Sequence, residues 1–296
     1  MQLNEKVLGL LNTTGYPFQH YCSQVISNLD GFQVSVEVPF TDPPSNGPLI
    51  GAHGQIDILA CCPDRASNVF VCFVIECKRA NEKIKNWVFL RNHQQDPRWP
   101  TFVMSMTTGD NSGSSPQLQI FRNVRFPALG YSELDRYDYC VNGLEINQNL
   151  SSINRDQSEK IYKPMVQVIH ASHAFETMHP KIIEGIDYLR QESGKLVLHL
   201  PVIVTTAELY LADFDPALVQ KGDIQPGDLN FGSPRSWISY EFPLPDYLSY
   251  GLNRPGEGQT VVAKRTVFVV NYQSLTDFFV KACSTAVSGN PPVRSL

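Results

Sequence analysis

Hydrophobic and polar residues alternate with three different patterns in the early part of the chain. Over residues 17–29, apolar residues recur every three or four positions, which is the spacing of an amphipathic helix. Val34, Val36 and Val38 alternate with polar residues, which predicts a strand that buries one face. Residues 69–75 are apolar throughout, as in a strand that is buried on both faces. The chain is therefore predicted to open with a helix, a half-buried strand and a more deeply buried strand.

A β-hairpin is predicted around the buried strand. Residues 56–62 are mostly apolar, and residues 63–68 carry the side chains that favour turns. The buried strand at 69–75 follows directly. Two strands joined by a short polar turn pair most simply with each other, so a hairpin is expected here. We take this hairpin as the centre of the predicted fold.

The later chain adds further helix and strand patterns. Residues 156–192 are mainly helical in pattern, and the apolar runs 195–205 and 208–214 predict two adjacent strands that complete the sheet. Residues 92–152 are rich in Pro, Gly, Ser and Asn and contain one predicted strand, Thr101–Met106. This stretch could be a lid, a substrate-contacting arm or decoration, and decoration fits its composition best.

One α/β domain accounts for these patterns. We expect a mixed central β-sheet flanked by helices, in a single domain that covers residues 1–296. The core would comprise residues 13–91 and about 156–286, with a large insertion at about 92–152. The tail at 288–296 is expected to be disordered.

Composition and charge narrow the classes of function. A hydrophobic content of 42% and a charged content of 18% are ordinary for a globular protein. The net charge of -5 argues against a general nucleic-acid coat protein but permits a local basic groove. No signal-peptide pattern and no apolar run long enough to span a membrane occur in the sequence, so no membrane association is expected.

The number and spacing of the seven cysteines indicate whether the protein belongs to a reducing or an oxidising compartment. Their number is odd, no CxxC pair occurs, and most of them lie in apolar runs. They are therefore predicted to be small core residues rather than a disulfide framework. This usage is typical of a reducing, cytoplasmic protein.

Two carboxylates and one ammonium group lie at the ends of the hairpin strands. Asp57 lies near the start of the first strand, and Glu76 and Lys78 end the second. Buried charge is costly unless it is paired or bound to a metal. A hairpin centred near Ala66 would place Asp57 opposite Ile75 or Glu76, so both carboxylates would lie close together.

A divalent cation would suit this arrangement. Mg²⁺ prefers carboxylate oxygens and keeps several waters, and Mg²⁺ or Mn²⁺ held by Asp57 and Glu76 could polarise a phosphodiester. Glu76 and Lys78 are two residues apart and therefore share a face of the strand, while Cys77 points the other way. Lys78 could then orient a water molecule or stabilise charge on the phosphate.

The pattern of Asp57 followed by Glu76-Cys77-Lys78 resembles the PD-(D/E)xK nuclease superfamily. The resemblance extends in detail over residues 13–91 and implies a restriction-endonuclease-like core. It also implies a Mg²⁺- or Mn²⁺-dependent phosphodiesterase that acts on nucleic acid, usually DNA, with the Cys77 carbonyl as an additional metal ligand. A homodimer is compatible with it, and the sequence leaves the oligomeric state open.

One position departs from the family pattern. Many relatives carry G-x-P-F-E in the first core helix and offer its Glu to the metal. Here the segment ends in Gln19, which can contact a metal through its amide oxygen but brings no charge. Glu37 and Glu5 are candidate substitute acids. The neutral Gln19 and the acidic net charge favour the alternative of a degenerate nuclease fold that binds nucleic acid or a protein partner without cutting.

The predicted helix at 156–192 carries two further candidates. By analogy with the family, Gln167 and His170 could contact the active site. His170, His173 and Glu176 share one helical face and form a second conceivable metal trio, although the HExxH spacing is absent.

Overall fold

A computed structural model gives the structure of the chain. It describes residues 3–41, 53–63, 69–80, 85–91, 102–106, 117–121, 124–125, 139–146, 157–177, 196–225, 227–244, 250–254, 258–262, 264–283 and 286–287. The tail predicted to be disordered, 288–296, lies outside the described residues.

The described residues form four α-helices and sixteen strands. The helices are α1 Leu3–Thr14, α2 Tyr16–Ser27, α3 Gln157–Thr177 and α4 Leu275–Ala282. The strands are β1 Gln33–Thr41, β2 His53–Pro63, β3 Val69–Lys78, β4 Asn86–Arg91, β5 Phe102–Met106, β6 Gln117–Phe121, β7 Val124–Arg125, β8 Tyr139–Ile146, β9 Leu196–Thr205, β10 Glu208–Asp213, β11 Asn230–Phe231, β12 Trp237–Pro243, β13 Tyr250–Arg254, β14 Gly258–Val262, β15 Lys264–Asn271 and β16 Ala286–Val287.

The architecture is a mixed central sheet flanked by helices, which confirms the predicted α/β class. Ten strands follow one another in the order β1-β2-β3-β9-β15-β12-β8-β4-β10-β11, and β5 and β6 extend from β9. β1, β2 and β3 are antiparallel, whereas β3 runs parallel to β9 along its whole length. β13 pairs only with β14, and β7 pairs with β16, among the residues described.

The sheet separates two apolar cores. One core contains the buried side chains of α3, including Met165 and Val168, and the other contains those of α2 and α4. Side chains of β3 alternate between them: Val74 packs on the α3 side, and Phe73 and Ile75 pack on the α2 side. This explains why the 69–75 run is apolar at every position, as predicted.

Two strands that are consecutive in sequence are not neighbours in the sheet. The predicted strands at 195–205 and 208–214 exist as β9 and β10, but β9 lies between β3 and β15, while β10 pairs with β4 and β11. The prediction that they are adjacent is therefore wrong. The residues between β9 and β10 bond instead to the end of β3 and to the residue before β4. The Thr206 N–H donates to the Lys78 carbonyl at 3.3 Å, and the Glu208 N–H donates to the Lys85 carbonyl at 2.7 Å.

The segment 92–152 contributes to the central sheet. The strand predicted at Thr101–Met106 is present as β5, and it pairs with β9. β8 from the same segment lies between β12 and β4, with Cys140 fully buried. The expectation of simple decoration is therefore corrected for the described strands of this segment.

β1 and β2 change face in the middle of their ladder. Ile56 and Ile58 should share a face because they are two residues apart, yet Ile56 packs in the α3 core and Ile58 in the α2 core. On β1, Val34 and Val38 also pack on opposite cores, and Val36 between them is 46% exposed. The prediction of three valines on one buried face is therefore wrong.

Disulfide bonds link four of the cysteines. Cys61 pairs with Cys72, and Cys62 pairs with Cys283. The prediction of buried positions holds for Cys61, Cys62 and Cys72, but the expectation that no disulfides form is contradicted. The reason is register: Cys61 and Cys72 are eleven residues apart in sequence and directly opposite each other in the β2–β3 ladder.

None of the helices in the described part of the chain has the length and apolar character needed to cross a bilayer.

Candidate active site

The β2–β3 hairpin brings the two predicted carboxylates together. Ile58 pairs with Ile75, and one further step of that register sets Asp57 opposite Glu76, one of the two predicted arrangements. The ladder ends there, and the Asp57 side chain replaces the next backbone bond. Its Oδ2 accepts a hydrogen bond from the Cys77 backbone N–H at 2.7 Å. Asp57 therefore sits at the point where the two strands separate.

Glu76 is almost completely buried, and only one of its two carboxylate oxygens accepts a hydrogen bond within the described residues. The residue is 2% exposed, and its Oε1 accepts a hydrogen bond from Lys78 Nζ at 2.5 Å. Its Oε2 is buried and has no hydrogen-bond partner within the described residues. The Lys78 side chain is 38% exposed, so the ammonium group reaches from solvent to the buried carboxylate. The predicted common face of Glu76 and Lys78 is confirmed.

Cys77 separates these two residues and faces the opposite core. Its side chain packs with the α2 core, and a hydrogen bond with the Cys22 thiol, followed by burial, raises the pKa of the Cys77 thiol. Its N–H points toward β2, where it meets Asp57. Because the N–H and C=O of one strand residue point to the same side, the Cys77 carbonyl also faces β2. That is the orientation that the predicted carbonyl ligand requires.

Glutamines from two helices hold the β2 backbone beside Asp57. Gln19 of α2 is 8% exposed, and its Nε2 donates to the Asp57 carbonyl at 2.9 Å. Gln167 of α3 donates through Nε2 to the Gln55 carbonyl at 3.0 Å. The two helices pack on opposite faces of the sheet, so the β2 backbone accepts a side-chain hydrogen bond from each face. Gln19 thus lies at the predicted site, in contact with the main chain of Asp57.

Glu37 lies across from Asp57 on the edge strand. Val36 pairs with Ile58 and Val38 with Ile56, which leaves Glu37 opposite Asp57 at the break in the ladder. Glu37 has a φ of 52°, a left-handed conformation that a residue with a Cβ seldom adopts inside a strand. The faces of β1 and β2 are exchanged at the position of this residue and of Asp57.

The surroundings of the site raise the pKa of both carboxyl groups. Burial, reinforced by the Asp57 charge, raises the pKa of Glu76 to about 7 despite the opposing Lys78 ammonium. Burial also raises the pKa of Asp57, and the Glu37 charge adds to that rise, whereas the Cys77 N–H and Lys78 oppose it. Neighbouring carboxyl groups that are costly to ionise favour the binding of a cation, because its charge stabilises their ionised forms.

The donor set fits a hard divalent cation. Asp57 and Glu76 supply carboxylate oxygens, and among the described residues the buried Glu76 Oε2 has no partner. Strand geometry directs the Cys77 carbonyl toward β2 as well. Within the described residues, however, no group of three His, Cys, Asp or Glu side chains is close enough to form a metal site. The site would therefore rely on two carboxylates, a carbonyl and water.

The second conceivable metal trio is not assembled. Glu176 is fully buried and both of its oxygens are bonded to Arg265, at 2.9 and 2.6 Å. His170 and His173 do not form a metal group with it in the described part of the chain. Glu176 is occupied because Arg265, 89 residues away in sequence, enters the same core, which no local pattern reveals.

A scan against models of protein families and searches of curated proteins and solved structures found no match. The geometry of the site and the resemblance of its Asp57…Glu76-Cys77-Lys78 pattern carry the functional argument.

Proposed function

We propose that this protein is a metal-dependent phosphodiesterase that cleaves nucleic acid, with DNA as the leading substrate. The observation that carries the proposal is Glu76: a carboxylate at 2% exposure, with one oxygen on Lys78 and the other without a partner in the described chain, next to Asp57. Such a group is costly to bury unless a ligand completes it. Mg²⁺ or Mn²⁺ is the ligand that its chemistry fits.

Each residue then has a role that its position allows. Asp57 and Glu76 would hold the cation, and the Cys77 carbonyl would add a neutral ligand. Gln19 donates a hydrogen bond to the Asp57 carbonyl and so fixes the backbone beside the site. The cation would polarise the scissile phosphate. Lys78, whose side chain is partly in solvent, can donate a hydrogen bond to the attacking water or to a phosphate oxygen. Water would attack phosphorus and release a proton to the solvent, while the bond from phosphorus to the leaving sugar oxygen breaks and that oxygen takes up a proton from water.

The order of helices and strands along the chain supports a restriction-endonuclease-like core. α2, β1 and the β2–β3 hairpin follow one another as in the opening of the restriction-endonuclease-like core. Asp57, Glu76 and Lys78, which carry the resemblance to the PD-(D/E)xK pattern, lie at the open end of that hairpin. We therefore propose this core as the finer description of the α/β fold.

A second candidate is a nuclease-like module that binds nucleic acid or a protein partner without cutting. Gln19 is neutral and is engaged with the main chain, and the net charge is -5. Both features weaken metal binding and attraction to a polyanion. The non-cutting alternative predicts binding without turnover.

The test is cleavage of duplex DNA, single-stranded DNA and RNA in Mg²⁺, Mn²⁺ or EDTA by the wild type and by Lys78→Ala. We expect Mn²⁺-dependent cleavage of DNA, lowered about 10²- to 10³-fold by Lys78→Ala, the usual loss when one transition-state donor is removed. Mn²⁺ affinity should change much less than turnover, because Lys78 is not a ligand.

Lys281→Ala is the matched control. Lys281 is also paired with a carboxylate, Asp277, and its side chain is 39% exposed against 38% for Lys78. Its loss should leave cleavage unchanged. Wild-type turnover by Lys78→Ala would refute the assignment of Lys78, and a wild type that binds Mn²⁺ and DNA but never cuts would establish the non-cutting alternative.

A further inference from the structure

The candidate cation site has an unexplained neighbour in Glu37. It lies opposite Asp57 at the break in the β1–β2 ladder, and its side chain is exposed on the edge strand. Directly opposed side chains on antiparallel strands have Cβ atoms about 5 Å apart, and like charges at such positions repel each other.

The backbone of Glu37 has an unusual conformation for a glutamate. A φ of 52° suits Gly or Asn far better than Glu, yet the chain has an acid here. A strained acid opposite a second acid is unfavourable on both counts in the metal-free protein. A cation between the carboxylates would turn the repulsion into attraction.

Gln19 does not supply the missing charge. Its amide donates to the Asp57 carbonyl, and it is neutral. Independently, Glu76 is 2% exposed with an Oε2 that has no partner among the described residues, so the site points to a ligand before Glu37 is considered.

We propose that Glu37 is the third carboxylate of the cation site, and that it acts on the cation through a water molecule. An indirect role fits two observations. The described side chains do not form a direct three-ligand group, and Glu37 is exposed to solvent. Mg²⁺ keeps several of its waters in protein sites, so an acid beside the ligands can accept hydrogen bonds from that shell. The inference rests on the proposed function, because it assigns a further residue to the same cation.

The experiment is Mn²⁺ affinity measured by calorimetry, without substrate, for the wild type, Glu37→Gln, Glu5→Gln and Asp57→Asn. Glu37→Gln keeps the size of the side chain and removes only its charge. We expect about tenfold weaker binding, the effect of one charge a few ångströms from a divalent ion in a solvated setting. The difference should shrink as salt is raised, because an exposed charge is screened.

Glu5→Gln is the matched control. Glu5 is the other candidate substitute acid, but it is exposed on α1 and is not among the groups that affect Asp57 or Glu76 electrostatically. A general effect of net charge would therefore weaken binding equally in both variants. We expect Glu5→Gln to bind as the wild type does. If Glu37→Gln does not fold, Glu37→Gly tests the same charge and accepts the positive φ.

The outcomes separate the inference from the proposed function. Wild-type affinity in Glu37→Gln, with binding lost in Asp57→Asn, would overturn the role of Glu37 and leave the metal site intact. Equal weakening by Glu5→Gln would also overturn it. A wild type that binds no Mn²⁺ would overturn both proposals.

Discussion

Two buried glutamates of this protein have opposite surroundings. Glu176 is fully buried, and both of its oxygens are held by Arg265 in a bidentate pair that is itself fully buried. Glu76 is 2% exposed, but Lys78 holds only one of its oxygens and approaches it from solvent. Both carboxylate oxygens of Glu176 have a partner without any ligand, whereas only one oxygen of Glu76 has one among the described residues. Burial alone therefore does not identify a functional acid, and the partners of each oxygen must be compared.

The Glu176–Arg265 pair should show the largest effect on stability. Arg265→Met leaves a buried carboxylate without its bidentate partner, which typically costs about 3–5 kcal/mol. We expect urea unfolding to show a loss of this size. The double variant Glu176→Leu/Arg265→Met should recover much of it, because no unpaired charge remains. A loss below about 1 kcal/mol for the single change would mean that the two glutamates are not energetically different.

Glu76→Gln should act in the opposite direction on the metal-free protein. The pKa of Glu76 is raised from 4.5 to about 7, so the folded state binds a proton more tightly than the unfolded state does. Unfolding free energy should therefore fall as pH rises from about 4.5 to 7, by at most about 3 kcal/mol. Glu76→Gln should remove this slope and be the more stable protein above pH 7, although it can no longer provide the carboxylate to a cation.

The pH dependence must be read as a difference between variant and wild type. Burial lowers the pKa of His199 to about 4, so the unfolded state takes up a proton there first and stability falls as pH drops from 6.5 to 4. This slope has the opposite sign and is common to both proteins, so it cancels in the difference. Mn²⁺ added at pH 7.5 should stabilise the wild type and not Glu76→Gln. Parallel curves for the two proteins would contradict the role of Glu76.

Gln19→Glu should change the unfolding free energy by less than the changes at the two buried glutamates. The structure shows that the amide donates to the Asp57 carbonyl, so a carboxylate there would lose the donor and face an oxygen. We expect a loss of about 1–3 kcal/mol in the metal-free protein, the cost of leaving a buried acceptor without its donor. Mn²⁺ should reverse part of the loss and bind more tightly, because a third carboxylate then lies at the site.

Gln167→Glu is the matched control for that change. It breaks the equivalent bond to the Gln55 carbonyl from the other helix, but the carbonyl belongs to a residue outside the carboxylate pair. It should destabilise the protein in thermal unfolding without any rescue by Mn²⁺. Equal rescue of both variants would show that Gln19 has no special relation to the site.

The smallest effect is expected for the exposed ion pair of Lys281 and Asp277. These residues are four apart on α4, at 2.9 Å, with side chains 39% and 55% exposed. Pairs of this kind contribute about 0.3–0.5 kcal/mol. Lys281→Met should therefore change the unfolding free energy by about 0.5 kcal/mol or less, which calibrates the two buried pairs against a solvated one.

Local sequence patterns were sufficient to predict much of the candidate site. The helix at 17–29, the hairpin at 54–80 and the approach of Asp57 to Glu76 were all predicted, because they depend on residues within about twenty positions of one another. In such a hairpin the turn sets the register, and the two-residue period of a strand sets the faces. The common face of Glu76 and Lys78 follows from that period alone.

The rest was decided by tertiary structure, for a different physical reason in each case. β9 and β10 pair with different strands because burial selects partners far apart in sequence, and the same competition brings β8 into the sheet and Arg265 to Glu176. Cys62 meets Cys283 across 221 residues. The β1–β2 register places Glu37 opposite Asp57, and its φ of 52° is a second feature that a pattern of hydrophobic and polar residues does not encode. The sequence by itself therefore determined which residues could form the site, while long-range packing and a single strained residue decided which of them meet there.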